Sequence, residues 1–411
     1  MSVTTGVLTA DAAPRRVAGP APRVERVAAL AADATEAERA VILEEFWADA
    51  ARRGTPLIEA LDGDPDHRAV TFLWRGHRAT RQVLLLAEGI ADRTDLAASR
   101  LSPLPGTDIW HLTYRLRADH RGSYRMAADI SPGEPPVSAE LLQRRLLSLS
   151  AHAAPDPLNG RRMPGRWPDR DTSVLELPQA PALPRAERRA GVPRGSVERH
   201  RLPAGVLGAE RDVWVYLPPG GGRAAELPVL VLNDGDMWLG RLAFQDTLDA
   251  LVADGAVPPL AVLAPDAVDR DTRGRELGAH DSHVRFLADE LLPWAAGRWR
   301  LTADPARTLV AGQGLGGLAS LYAGFLRPER FGKVLAQSAP LSRLGVGTSR
   351  PVTVRLDVGL CEEEILDHHR DLYEVLRSHG CPVTLNEYNG GHDWACWRAC
   401  LTEGLVGLLG H

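Results

Sequence analysis

The sequence predicts an α/β domain built on a parallel-rich sheet, preceded by an all-β sandwich. Three observations carry this. From about residue 196 onward, short apolar runs of strand length alternate with segments of helical period, which is the pattern of a parallel sheet covered on both faces. Before about residue 150 the apolar period is two, with Gly, Pro and Asp turns between short runs, as in a sandwich. Between the halves, residues 153–195 carry eight prolines, too many for a helix or a central strand.

Taken in order, residues 1–23 are rich in Ala, Pro and Gly and are expected to be a disordered tail. The start lacks the apolar segment of a secretory leader. Thr35 and Glu38 have capping-box spacing, and Leu43, Phe46, Trp47 and Ala50 follow at helical intervals, predicting a helix over 36–52. Val70, Phe72 and Trp74 then alternate, and Trp110, Leu112, Tyr114 and Leu116 do the same. These runs place a β-sandwich over 24–152, and 153–195 is expected to be an extended linker. In the domain over 196–411, strands are expected in RDVWVYLPP, LPVLVLND, PLAVLAPDA, RTLVAG, KVLAQSAP, PVTVRLDVG and VTLNEY. Helices are expected near 243–253, 283–297, 315–327, 364–379 and 393–408.

The 411 residues carry a net charge of −5, which gives no reason to expect nucleic acid or an anionic membrane surface as a partner. No run of 18 apolar residues occurs, so no membrane span is expected. Cys361, Cys381, Cys396 and Cys400 form no C-x-x-C pair. They read as free thiols of a reducing cytoplasm rather than a metal or redox site, and no metal ligand set is expected.

The chemistry concentrates at AGQGLGG, residues 311–317. A strand, a Gly-rich turn and a helix make the setting of a nucleophile elbow, G-x-S-x-G. Here the pattern reads Gly312-Gln313-Gly314-Leu315-Gly316, so the nucleophile position has no side chain. Acidic residues follow a later strand, and GGHDW follows the last strand. Nucleophile, acid, histidine is the chain order of an α/β-hydrolase. His392 is the candidate base, with Glu362 or Asp357 as the acid. The N–H of Leu315 and a second from Gly235 or Asp236 are the candidate oxyanion donors, each worth roughly 3–4 kcal/mol of barrier. None of these donors depends on a serine.

The blocks LWRG, DPLNGRR, SVLELPQAP, ERDVWVYLPPG, RELGAHDSHVRFLADELLPW, AGQGLGGLASLYAGFLRPERFG, LDVGLCEE and GGHDWACWRACL together resemble the bacterial enterochelin esterases. The resemblance implies a sandwich that helps hold a ligand, an esterase domain, and cytoplasmic hydrolysis of an iron-loaded catecholate siderophore. It places Gly314 at the nucleophile position, His392 at the base and Glu362 at the acid. It also puts Arg75 and Arg275 in blocks used near the ligand, where they would face a negatively charged triscatecholate. No cofactor is implied; iron enters only within the siderophore. Two departures stand out. The aromatic pair that usually follows the QS strand is replaced by APLSRLGVGTSRP, and GAHDSH adds His280, Asp281 and His283 near the expected mouth of the site.

Three readings stay open from the sequence. The chain is a siderophore ester hydrolase impaired at position 314, through an engineered Ser→Gly change or natural divergence. Alternatively it uses His392 and a carboxylate for acid–base chemistry without a covalent intermediate, in natural-product assembly. Or it binds a siderophore without turning it over.

Overall fold

The computed structural model describes residues 14–410, apart from 18, 92–93, 134–135, 168–169, 183–187, 222–225 and 345–351. Residues 1–13 and 18 of the tail expected over 1–23 lie outside the described residues; for the rest the expectation needs correction, since Arg15–Arg16 pair with Tyr114–Arg115 and Pro22 opens a helix. The chain divides into two compact units, Met1–Pro181 with Asn389–Ala395, and Ala182–Tyr388 with Cys396–His411.

The first unit contains strands β1 (Arg15–Arg16), β2 (Leu57–Leu61), β3 (Asp64–Arg75), β4 (Gln82–Ala87), β5 (Ser102–Pro103), β6 (Ile109–Arg117), β7 (Arg121–Asp129), β8 (Arg162–Met163) and β9 (Thr172–Glu176). One sheet runs β1-β6-β3-β2 with β5 added on β6; the other runs β4-β7-β9-β8. All their pairings are antiparallel. The alternating residues of β3 and β6 meet those of β7 in a core where Phe72 lies edge-on to Tyr124 at 4.9 Å and to Tyr114 at 6.4 Å. Helices α1 (Pro22–Ala32) and α2 (Glu36–Arg53) pack Val24, Trp47 and Ala50 on Leu57, Leu73 and Ile109. Thr35 caps α2 as the spacing predicts, with both halves of the capping box formed. Helix α1 was not expected, nor was a third, α3 (Ala139–Ser150); only Leu146 of α3 is fully buried, so its apolar stripe is too narrow to stand out in the sequence.

The linker expectation needs correction. The segment 153–195 supplies β8 and β9 to a sheet. Its prolines flank these strands, and Thr172–Glu176 alternates buried and half-buried residues. Proline content marks where strands stop, not that none occur.

The second unit holds β10 (Ser196–Ala204), β11 (Ala209–Leu217), β12 (Val229–Leu232), β13 (Ala261–Pro265), β14 (Thr308–Gln313), β15 (Lys333–Gln337), β16 (Thr353–Gly359) and β17 (Val383–Tyr388). Their order is β10-β11-β13-β12-β14-β15-β16-β17. The first two pairings are antiparallel and the remaining five parallel. The helices are α4 (Gln245–Ala253), α5 (Arg270–Glu276), α6 (Asp281–Arg285), α7 (Leu292–Ala296), α8 (Leu315–Leu326), α9 (Glu363–Ser378) and α10 (Trp394–Leu409). Central strands β12, β13 and β14 are buried along their whole length, which is why they read as unbroken apolar runs. This is an α/β-hydrolase sheet, and it places the loops after β12, β14, β16 and β17 at one edge, the carboxyl ends of the strands.

Candidate active site

The turn from β14 into α8 is built around Gly314, whose backbone sits at φ 55°, ψ −125°. Gly314 is buried, donates its N–H to Gln337 O at 2.8 Å, and accepts from Leu318 N at 3.1 Å. The flanking glycines answer to space. A Cβ on Gly312 would lie 2.5 Å from the backbone of Gly316, and one on Gly316 would lie 3.2 Å from Asn233 Cβ. Leu315 opens α8, so its N–H is among those the helix itself leaves without a partner.

The second turn follows β12. Gly235 packs so closely on β13 that a Cβ there would sit 2.1 Å from Ala264 O. Asp236 accepts from Ala267 N at 3.2 Å. Asp234, one residue earlier, has φ 67°, an unusual conformation for a residue with a side chain. Its carboxylate is held by Arg273 through Nε at 2.7 Å and Nη2 at 2.8 Å, and by the side-chain amide of Gln313. Gln313 in turn accepts from Trp238 Nε1 at 3.0 Å. Asn233 donates to Gly316 O at 3.2 Å and Ser320 Oγ at 3.1 Å. Thus the two turns that carry Leu315, Gly235 and Asp236 are tied to each other by Asn233, Asp234 and Gln313.

His283 belongs to this network, not to an open mouth. It is 3 % exposed, and its Nε2 lies 2.9 Å from Asn233 Oδ1. That oxygen only accepts, so His283 carries its proton on Nε2. Burial, with a further contribution from Arg211, drives its pKa down to about 3, which keeps the ring neutral. His280 is exposed and caps α6 through Ser282. Asp281 is also exposed and accepts from Tyr322. Arg275 is exposed and donates to Thr272 Oγ1 at 3.4 Å. Arg273, two residues away, is the arginine of this network and was not singled out from the sequence, because the α5 face turned inward was not legible. Arg75 pairs with Glu44 and, at 2.8 Å, with Asp108, and lies over the Trp47 ring. These contacts all lie within the first unit.

The two candidate acids differ in setting. Asp357 lies inside β16, fully buried, bound by Arg355 Nε at 2.9 Å and Asn386 Nδ2 at 3.0 Å. Burial outweighs these partners and pushes its pKa up to about 6. Glu362 lies past the end of β16, at the N-cap of α9. Its Oε1 accepts from Ser338 Oγ at 2.6 Å, Gly359 N at 2.8 Å and Tyr388 OH at 3.2 Å. Ser338, at φ 49°, is fixed in turn by Trp397 Nε1 at 2.9 Å, and Ala339 N donates to His369 Nε2 at 3.2 Å. Burial and the neighbouring Glu362 hold the Tyr388 phenol well above its usual pKa, so it remains a donor. Ser338, Tyr388 and His369 escaped the sequence reading; a polar QS at the end of an apolar strand was the available signal.

His392 is exposed, on the loop between β17 and α10. The segment Asn389–Ala395, this loop and the first turn of α10, belongs to the first unit. Asn389 O accepts from Arg121 N at 3.0 Å, Asn389 Oδ1 lies 3.1 Å from His120 Nδ1, and Asn389 Nδ2 donates to Asp119 at 2.5 Å. Asp393 accepts from Ser123 Oγ at 2.5 Å and from Ala395 N at 2.7 Å. A Cβ on Gly391 would come within 3.3 Å of Gly89, which accounts for one glycine of GGHDW. His120 is buried and its pKa falls to about 4, chiefly by desolvation, so it serves as a neutral donor to Asn389.

Comparison with known proteins agrees with this architecture. Residues 69–186 match the family described as "Enterochelin esterase, N-terminal", and residues 204–408 match the family described as "Putative esterase". An iron(III) enterobactin esterase of Dickeya dadantii is 32 % identical over 89 % of this chain and 93 % of its own length. An iron(III) salmochelin esterase of Escherichia coli O6:H1 is 33 % identical over the same shares. The crystal structure of the enterobactin esterase from Shigella flexneri, obtained in the presence of enterobactin, superposes with a TM-score of 0.76 at 29 % identity. It covers 89 % of this chain and 97 % of its own. In both halves and across nearly its whole length, the chain belongs to the enterochelin esterase family.

Proposed function

We propose that the chain binds a catecholate siderophore ester in the cytoplasm and is a weak hydrolase of it, because position 314 supplies no nucleophile. The observation that supports this reading is the Gly314 turn, an elbow kept in full with its neighbouring amide-bearing turns cross-linked. In this reading Leu315 and the Gly235–Asp236 turn stabilise the oxyanion, His392 acts as base, and Glu362 orients it. Glu362 is preferred over Asp357 because Asp357 is committed to Arg355 inside a strand. Without a hydroxyl no acyl-enzyme forms, and turnover depends on water activated by His392. Loss of one member of such a set still leaves roughly 10³–10⁴-fold catalysis over water.

The test is Gly314→Ser assayed on a catecholate serine ester. A rise in kcat of two or more orders of magnitude is expected. An unchanged rate in a folded Gly314→Ser protein that binds the ester would favour the second reading, a binding protein without turnover. The missing hydroxyl is the observation behind that alternative.

A further inference from the structure

We infer that one water molecule is bound between His283 Nδ1 and Arg211 Nε, and that this bridge makes Arg211 a positioning residue for the turn after β12. Both side chains are 3 % exposed, and among the described residues neither of these buried nitrogens has a hydrogen-bond partner. Both side chains line one cavity of about 10 Å³, together with Asn233, Asp234 and Glu276. That is room for about one water. A buried donor or acceptor is costly to leave unpaired, and is met by protein or by ordered water.

The two nitrogens select their ligand. Arg211, on β11, has committed its outer nitrogens: Nη1 donates to Glu276 Oε2 at 2.8 Å and to Asp266 O at 3.1 Å, and Nη2 donates to Glu276 Oε1 at 2.7 Å. Its Nε–H still requires an acceptor. For His283 the neighbours fix the proton. Ser320 Oγ gives its hydrogen to Gly316 O at 2.7 Å, so it and Gly316 O can only accept from Asn233 Nδ2. Asn233 therefore turns its oxygen to the ring, the ring keeps its hydrogen on Nε2, and Nδ1 presents a lone pair. Burial first, and the Arg211 charge second, keep that ring neutral. The ligand must accept from a guanidinium and donate to an imidazole. Chloride has no hydrogen to give, and ammonium or a metal cation has no lone pair to offer. Water has both, and the carboxylates of Asp234 and Glu276 on the same cavity offer acceptors for its second hydrogen.

The bridge completes a chain from Glu276 on α5, through Arg211, the water and His283 on α6, to Asn233 and the backbone of α8 at Gly316. Asn233 is what ties the β12 turn to the elbow, and the ring fixes its amide. A polar network with every member partnered holds such geometry better than one with a gap.

The experiment begins with a crystal structure of the full chain at a resolution that shows ordered water. One water within hydrogen-bond distance of both His283 Nδ1 and Arg211 Nε is expected. A structure in which no water joins these two nitrogens, or in which an ion does, overturns the site. Arg211→Lys keeps a cation for Glu276 and removes Nε; should it not fold, His283→Gln, which keeps a donor for Asn233 and removes the Nδ1 acceptor, takes its place. Hydrogen exchange of peptides over 233–241 is expected to quicken about tenfold in the variant while that of α9 is unchanged. Equal exchange over 233–241 overturns the positioning role. A second readout rests on the reading of this turn as an oxyanion donor: in the Gly314→Ser background the variant is expected to lower kcat about tenfold with KM unchanged, and an unchanged kcat also overturns the role. If Gly314→Ser itself gains no hydrolysis, the esterase reading fails, while the water and the exchange rates still decide the bridge.

Discussion

Arg273 grips Asp234 through two hydrogen bonds of 2.7 and 2.8 Å, on the turn that precedes Gly235. Asp234 is fully enclosed and holds a left-handed backbone. Arg273→Ala leaves that carboxylate buried without its cation, and breaking such a pair costs about 3–5 kcal/mol. Arg275→Ala, one turn-position away and exposed, is expected to cost about 0.5 kcal/mol or less. Urea denaturation of the two variants checks the difference.

The elbow glycines should divide by the space each has. A methyl at Gly312 meets backbone atoms of Gly316 at 2.5 Å, which cannot yield without moving α8. Gly312→Ala is expected to lose about 3 kcal/mol, the upper end for overpacking. At Gly316 the nearest atoms are side-chain atoms at 3.2 and 3.3 Å, and the gain of roughly 0.5–1 kcal/mol from replacing a helical glycine offsets part of the strain. Thermal melts should place Gly316→Ala close to the parent and Gly312→Ala far below it.

Restoring the hydroxyl has a cost in the backbone. Gly314 sits at φ 55°, ψ −125°, where a side chain raises the energy by about 1–3 kcal/mol. Gly314→Ser should therefore be less stable than the parent while hydrolysing faster. Denaturation and turnover measured on one preparation would show both changes; a stabilised Gly314→Ser protein would contradict the turn described above.

His283 makes the fold sensitive to acid. Its pKa falls from 6.5 unfolded to about 3 folded, so between those values the unfolded chain binds the extra proton. Its contribution is fully present above pH 6.5 and is lost as pH falls toward 3, by up to about 1.4 kcal/mol per pH unit. Asp357 acts in the opposite sense: with a folded pKa near 6, its contribution declines as pH rises from about 4 to 6. His283→Gln should flatten the first slope and Asp357→Asn the second, as read from urea midpoints across pH 4–7.

The two carboxylates separate in kinetics as well. In the Gly314→Ser background, Glu362→Gln is expected to lower kcat by about 10³-fold or more with little change in KM. Asp357→Asn should register mainly as a change in stability. A larger loss of kcat from Asp357→Asn would exchange the roles proposed for the two.

Where burial is complete, the sequence announced the structure. β12, β13 and β14 are uniformly apolar because both their faces are covered, and each lies where its run predicts. The elbow was legible because glycine has few substitutes where backbone meets backbone, as at Gly312. The short helix α5 was not, since RDTRGRE carries no apolar stripe. Arg273 and His283 were missed or misplaced for a related reason. Their roles depend on which way a charged side chain turns under the loop after β12, and no periodicity encodes that. The β8 and β9 strands were hidden by prolines at their flanks. Asn389 gave no sign at all, because its partners Asp119, His120 and Arg121 lie some 270 positions earlier in the chain.

That last attachment bears on how the protein can be divided. A chain cut near residue 190 would keep all eight strands of the larger sheet. It would leave Asn389 and Asp393 without Arg121, Asp119 and Ser123. The segment that carries His392 would lose those contacts. Gene fragments drawn at that boundary are therefore expected to keep the larger sheet while losing the support of His392, the residue proposed above as base.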